Sequence, residues 1–312
     1  MERGVVTASR GRSFVVRLDG AGAGAGEGAS PGEDDGALRF DCVARKKNVD
    51  FACGDEVEFE ITAPGQGVIV TRSERRSELR REDGARGKVI AANATRMFFV
   101  CAFDVRFDDN LAARALAAAK WAGVDAVLLA NKADLPDSAG LGAALERYRG
   151  FGYRALSVSA LGDLSDLRAE MAGQTSVFVG ASGVGKSSLS NAILGFDAQK
   201  TGAVSLALSR GRHTTTSAAL FRLPQGGAFI DSPGLQSFGL AHIPPSELIA
   251  CFPDLAPYAG RCRFNDCSHA PAAPGCALRQ AAASGAADPA RLQTFLSLQE
   301  EIKAMRKARL GR

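Results

Sequence analysis

Between Val177 and Ser188 the chain reads VFVGASGVGKSS, an apolar run entering a glycine-rich turn that ends in Lys-Ser. The stretch GASGVGKS fits the spacing G-x-x-x-x-G-K-[ST] and lies between a predicted strand and a predicted helix, the context that spacing needs. In such a loop Gly180, Ala181, Ser182, Gly183, Val184 and Gly185 converge backbone N–H groups on a β-phosphate, helped by the positive end of the helix. Lys186 then reaches the β- and γ-phosphates and the Ser187 hydroxyl binds Mg²⁺, with Ser188 in the same first turn.

Well upstream, Asn131, Lys132, Ala133 and Asp134 spell NKAD at the end of the run DAVLLA. The Asp134 carboxylate can accept two hydrogen bonds from a guanine edge, a donor pair that adenine lacks, so an ATPase or nucleotide kinase is disfavoured. Asn131 can bond N7 and tie loops together, and the Lys132 stem can lie against the base plane. The next apolar run ends in SVSAL, where Ser159 and Ala160 form a second base loop and the Ala160 N–H faces the guanine O6. Downstream, Asp231 in DSPG is expected to bind Mg²⁺ through water, and the Gly234 N–H to face the γ-phosphate. The polar GRHTTT segment is expected to supply a switch threonine; Thr215 is preferred, with Thr214 and Thr216 as alternatives.

A glutamine that orients water often follows such an Asp-x-x-Gly piece, whereas this chain has Leu235. Leucine cannot hold water, so unassisted hydrolysis should be slow. His213, with Gln236 as a further group, is the in-chain candidate to supply what is missing, and a partner is the other source.

A second chemical cluster lies near the end. Cys262, Cys267, His269 and Cys276 give C-x4-C-x-H-x6-C, three thiolates and an imidazole that suit one closed, tetrahedral, structural Zn²⁺. The chain has seven cysteines, an odd number, with Cys42, Cys53 and Cys101 isolated, which argues against a disulfide framework. Cys251, in PPSELIACF, is expected on a helix and in the core.

These residues need elements to hold them. Up to about Val70 short alternating runs, GVVTA, SFVVRL, EVEFEI and GVIV, predict a small β-barrel, interrupted by a Gly/Ala-rich insert from Asp19 to Gly36 that reads as a flexible loop. From Met97 strands alternate with helices, predicted near 110–122, 141–148, 163–172 and 186–194, which implies a parallel sheet covered on both faces. Beyond Phe238 the chain turns helical and ends in an amphipathic helix over 289–310. The expected division is a barrel at 1–80, a nucleotide domain at 81–240 and a helical zinc domain at 241–312. In an open parallel sheet all loops at the carboxyl edge face one crevice, so the base loops can precede the phosphate loop without moving any ligand contact. The order is therefore a circular permutation, and the segment after Gly234 runs straight into the last domain.

The 312 residues are 46% hydrophobic, and the net charge of +4 is too small for bulk binding to nucleic acid. Local patches are needed: Arg72, Arg75, Arg76, Arg80, Arg81, Arg86 and Lys88 in one connector, and Lys303, Arg306, Lys307 and Arg309 on the last helix, where a solvated face is the plainer reading. Phe14, Phe51 and Phe59 could stack bases, although core packing suits each better. No run approaches the about 20 apolar residues of a membrane helix, and the opening lacks a signal-peptide core, so a cytoplasmic monomer is expected, with no membrane partner.

The order NKAD, SVSAL, GASGVGKSS, GRHTTT, DSPG, flanked by a barrel and a Cys/His cluster, resembles the circularly permuted bacterial ribosome small subunit-dependent GTPase A family. The likeness covers nearly the whole chain. It implies an oligonucleotide-binding (OB-fold) barrel, a permuted α/β P-loop GTPase and a zinc domain. It also implies GTP hydrolysis, stimulated by the small ribosomal subunit late in its maturation, with GTP, GDP and small-subunit rRNA as partners. Matching members carry EPGC before the last cysteine; Ala273 here replaces the acid and the loop is longer by one residue. The alternative is an RNA-binding zinc protein whose nucleotide site is structural and does not switch.

Overall fold

The structure is a computed structural model and describes residues 1–18, 38–46, 50–81, 88–195, 218–232 and 238–310. Strands β1 (Glu2–Arg10), β2 (Ser13–Leu18), β3 (Arg39–Ala44), β4 (Glu56–Ala63) and β5 (Gln66–Arg72) run in the order β1-β2-β3-β5-β4, and β4 returns to β1 to close a five-stranded barrel. Period-two alternation explains it: Phe14, Val16, Phe40, Cys42, Val57, Phe59 and Ile69 point inward while their neighbours face out. β3 is a strand that the sequence reading did not include. The three aromatic candidates for base stacking are core residues instead, Phe14 packing edge-on against Phe51 at 5.3 Å and Phe59 against Phe40.

Several arginines of the connector are engaged by the chain itself. The connector forms the hairpin of β6 (Glu78–Arg81) and β7 (Lys88–Ala92). Arg75, only 7% exposed in its side chain, makes a two-pronged ion pair with Asp55, at 0%, through bonds of 2.7 and 2.8 Å. Arg76 pairs with Glu56, Arg80 with Glu78, and Arg72 donates to the Asp50 carbonyl. Arg86 lies outside the described residues. Removing one member of a buried pair strands the other charge. Asp55→Ala is therefore expected to lower unfolding stability by about 3–5 kcal/mol in urea titrations, and a loss below about 1 kcal/mol would show the pair to be dispensable.

Strands β8 (Arg96–Ala102), β9 (Asp125–Asn131), β10 (Arg154–Ser157), β11 (Thr175–Val179) and β13 (Ala228–Asp231) form a parallel array ordered β10-β9-β8-β11-β13. β12 (Ala218–Arg222) adds antiparallel to β13. Buried on both faces, these strands read as apolar runs, MFFVCA and AVLLA among them. One face takes α1 (Asp109–Trp121), whose buried alanines permit close approach, and α2 (Leu141–Gly150). The other takes α3 (Ser165–Met171) and α4 (Lys186–Leu194). β1 also pairs with β12, Ala8 facing Ala219 and Ser9 facing Ala218, so barrel and array make one eleven-stranded sheet.

After Phe238 come two 3-10 turns, Leu248–Cys251 and Ala256–Tyr258, then α5 (Ala277–Ala283) and α6 (Pro289–Leu310). Cys251 is buried as expected but sits on a 3-10 turn, not an α-helix. Pro244 and Pro245 open that segment and Pro253 closes it by forcing Phe252 into an extended conformation, which leaves too short a run for a regular helix. The stripe Leu292, Phe295, Leu298 and Ile302 buries α6. Arg291, 4% exposed, lies 4.4 Å from the Phe252 ring centroid, between Tyr148, Phe151 and Tyr153, and donates to the Tyr153 hydroxyl. On the charged side of α6, Lys303 pairs with Glu300 and Arg306 donates to the Ala241 carbonyl, while the Arg309 side chain is outside the described set. Among the described residues no helix is long and apolar enough to cross a membrane.

Candidate functional site: a phosphate loop, two base loops and a thiol cluster

The buried strand β11 delivers the turn at Gly180, and α4 opens at Lys186, so the strand-turn-helix context holds. Two glycines are required by geometry. At Gly180 (φ +149°) a Cβ would lie 2.1 Å from the Val100 carbonyl oxygen, and at Gly185 (φ +88°) 2.3 Å from Asn131 Nδ2. The Lys186 ammonium donates to the Gly180 carbonyl at 2.8 Å and to that of Ala181, which places the cation over the turn spanning Ser182 to Gly185. Ser187 and Ser188 fall in the first turn of α4, where helix N–H groups have no intrahelical acceptor.

The base loops stand beside it. Asn131, 1% exposed at the end of β9, donates from Nδ2 to the Val184 carbonyl at 2.9 Å and accepts the Ala160 N–H at Oδ1, 3.1 Å. Lys132, in left-handed conformation (φ +61°), donates to the Gly183 carbonyl at 3.0 Å. Ala133 N–H bonds the Val158 carbonyl, and Ser159 donates to the exposed Asp134 carboxylate, which turns it toward the loop of β10. The structure thus brings Asn131, Lys132, Asp134, Ser159 and Ala160 to the rim of the loop carrying Lys186. The Ala160 proton, expected to face a purine oxygen, is held by Asn131, so a ligand carbonyl there would have to share it.

Asp231 ends β13, the strand paired with β11 through Val177 and Ile230, and Ser187 lies in the first turn of α4, the helix that follows β11. Two hard oxygen donors at that edge fit Mg²⁺. His213, Thr215, Gly234, Leu235 and Gln236 lie outside the described residues, as does the insert at 19–36. One residue of the crevice belongs to no sequence motif: Asp104, just past β8, whose Oδ2 accepts from Lys132 Nζ at 2.8 Å. A lone acid at the carboxyl end of a parallel strand was the signal available.

Nearer the end of the chain, the ligating atoms of Cys262, Cys267, His269 and Cys276 lie within 4.8 Å of one another. His269 Nδ1 is 3.7 Å from Cys262 Sγ and 3.5 Å from Cys276 Sγ, and the two sulfurs are 3.9 Å apart. Bonds of about 2.3 Å to sulfur and 2.0–2.1 Å to nitrogen around a tetrahedral ion give edges of this size, so the donor set fits zinc. Burial, then Lys303 and Arg279, hold the imidazole pKa below its ordinary value and favour the neutral ligand. Arg279 Nε also donates to the His269 carbonyl at 2.9 Å. The other thiols are sealed off: burial pushes Cys53 and Cys101 up to about 12, and all seven cysteines are free.

Residues 72–241 match the family model described as RsgA GTPase. The chain is 41% identical over 297 residues to the small ribosomal subunit biogenesis GTPase RsgA of Neisseria meningitidis serogroup B, covering 95% of this chain and 91% of the relative. Against the protein of that name from Burkholderia pseudomallei the identity is 38%, over 96% and 92%. Two solved structures share the fold. YjeQ from Thermotoga maritima does so with a TM-score of 0.70, 24% identity and coverage of 96% of this chain and 98% of that one. YloQ, described as a circularly permuted GTPase, has a TM-score of 0.69, 24% identity and coverage of 97% and 96%. With that fold and identities near 40% along nearly its full length, the chain belongs to the RsgA GTPase family.

Proposed function

We propose that the chain is a Mg²⁺-dependent GTPase acting in biogenesis of the small ribosomal subunit, with small-subunit rRNA as its macromolecular partner and hydrolysis as a release or checkpoint signal. The observation that carries the guanine-nucleotide part is the stitching of base loop to phosphate loop, Asn131 to Val184 and Lys132 to Gly183, which sets both ends of one pocket in a single crevice. The names of the relatives supply the subunit. In this reading the amides from Gly180 to Gly185 and the Lys186 ammonium hold the β- and γ-phosphates. Ser187 and Asp231 hold Mg²⁺, which neutralises charge developing on the phosphates. Asp134 reads the base edge, with Asn131, Lys132, Ala133, Ser159 and Ala160 shaping its slot, and Gly234 faces the γ-phosphate. Thr215 completes the metal site and His213 orients water, the work that Leu235 cannot do.

The cysteine cluster holds one structural Zn²⁺ in the unit at 241–312, which follows the nucleotide unit at 81–240 and the RNA-binding barrel at 1–80. The protein works as a cytoplasmic monomer without a membrane partner. Phosphate release from GTP, measured with and without purified small subunits, tests the reading: marked stimulation supports it, and equal rates refute it. Competition of GDP against ADP tests base selection. Asp134→Asn exchanges an acceptor for a donor, so GTP affinity should fall by about 10- to 100-fold and xanthine nucleotides should gain. Unchanged GTP preference would remove Asp134 from the base site.

A further inference from the structure

Asp104 lies just beyond the carboxyl end of β8, the strand between β9, which delivers Lys132, and β11, which delivers the phosphate loop. Its carboxylate therefore stands at the seam of the two halves of the crevice. Lys132 Nζ donates to Asp104 Oδ2 at 2.8 Å and to the Gly183 carbonyl at 3.0 Å, so one ammonium is held from both sides. The backbone beneath it is in the left-handed region, which lysine seldom adopts and which needs fixing from outside. The pair is half-buried, with side chains 36% exposed for Asp104 and 27% for Lys132. No other carboxylate is recorded against Lys132 among the described residues.

We propose that Asp104 is a positioning residue for the nucleotide pocket: by clamping the Lys132 ammonium against Gly183, it fixes the spacing between base slot and phosphate cradle before ligand arrives. The inference rests on the guanine-nucleotide reading above. A strut formed in advance lowers the ordering cost of binding for any ligand that spans both ends. GDP and GTP share those ends, so both are affected alike. The guanidinium-free geometry, one ammonium on one carboxylate oxygen, also sets the sensitivity to salt, because a half-exposed pair is screened.

Fluorescent GDP and GTP binding to the full chain tests this. Asp104→Ala should raise the Kd of both nucleotides by the same factor, about two- to fivefold, within the range measured for exposed ion pairs. The increase should shrink at high salt. Asp104→Asn, which keeps an oxygen acceptor for the ammonium, should recover most of the loss, and Asp104→Lys should exceed it. In a Lys132→Ala background Asp104→Ala should have no further effect, a result that a merely structural role would not give. An unchanged Kd for Asp104→Ala in a chain whose wild type binds GDP overturns this proposal alone. So does an equal effect with and without Lys132. A wild type that does not bind GDP overturns the guanine-nucleotide reading and this inference with it.

Discussion

Lys186→Ala lowers GTP turnover by about 10²–10³-fold, the loss found when one preorganised charge-stabilising donor is removed from a transition state. The side chain opens α4 and its ammonium lies over the phosphate loop, bonded to the carbonyls of Gly180 and Ala181. No other side-chain cation among the described residues is recorded on those carbonyls. The loop amides and the helix terminus survive the change, so nucleotide still binds and kcat should fall further than GDP affinity. Zinc content should not move, because the thiol cluster belongs to the other end of the chain. Single-turnover phosphate release with and without small subunits provides the measurement. Turnover within threefold of wild type would show that the phosphate chemistry lies elsewhere.

Cys276→Ser empties the second centre. Cys276 is 1% exposed, and a serine hydroxyl in place of its sulfur is a poor zinc ligand that also leaves a buried polar group. Structural zinc contributes about 10–16 kcal/mol to the small peptides that fold around it, more than the rest of the 262–276 turn region can replace. Metal analysis should fall from one zinc per chain toward none, and hydrogen exchange in α5 should rise steeply. Damage should stay local at first: α6 is held independently by Leu292, Leu298 and Ile302, by Arg291 among its rings, and by the Arg114–Glu301 pair. His269, whose ring centroid is 6.4 Å from that of Phe295, is the path by which disorder would spread. Unchanged zinc content would show that Cys276 is not a ligand.

Most of the pocket was legible because its chemistry needs particular residue types at fixed spacings on a strand-turn-helix, and such patterns survive permutation. The helix bounds of α4 and α6 follow equally well from caps and apolar period. Tertiary partners were not legible. Arg75 and Asp55 are 20 positions apart, and nothing local tells which arginine of a basic run will find a buried acid. Asp104 is one acid without a pattern until β8 is placed between β9 and β11. β3 hides because it follows a glycine-rich insert and carries the charged Arg39 and Asp41 on its outer face, although Phe40 and Cys42 keep the alternation. The segment before Cys251 has helical composition, and only the proline bracket betrays its 3-10 course.

The first strand divides its loyalty. Its opening residues, Glu2 to Val5, zip to β4 and shut the barrel, whereas Ala8 and Ser9 cover the flank of β12, with an irregular register between Val6 and Ala8 where the partner changes. Trimming or fraying this amino-terminal ribbon therefore bares three adhesive borders in one event, those of β2, β4 and β12. Each is a row of unsatisfied amides and carbonyls able to recruit a neighbouring molecule. Protection of these borders thus falls to nine residues that belong to neither the nucleotide loops nor the metal-ligating cluster.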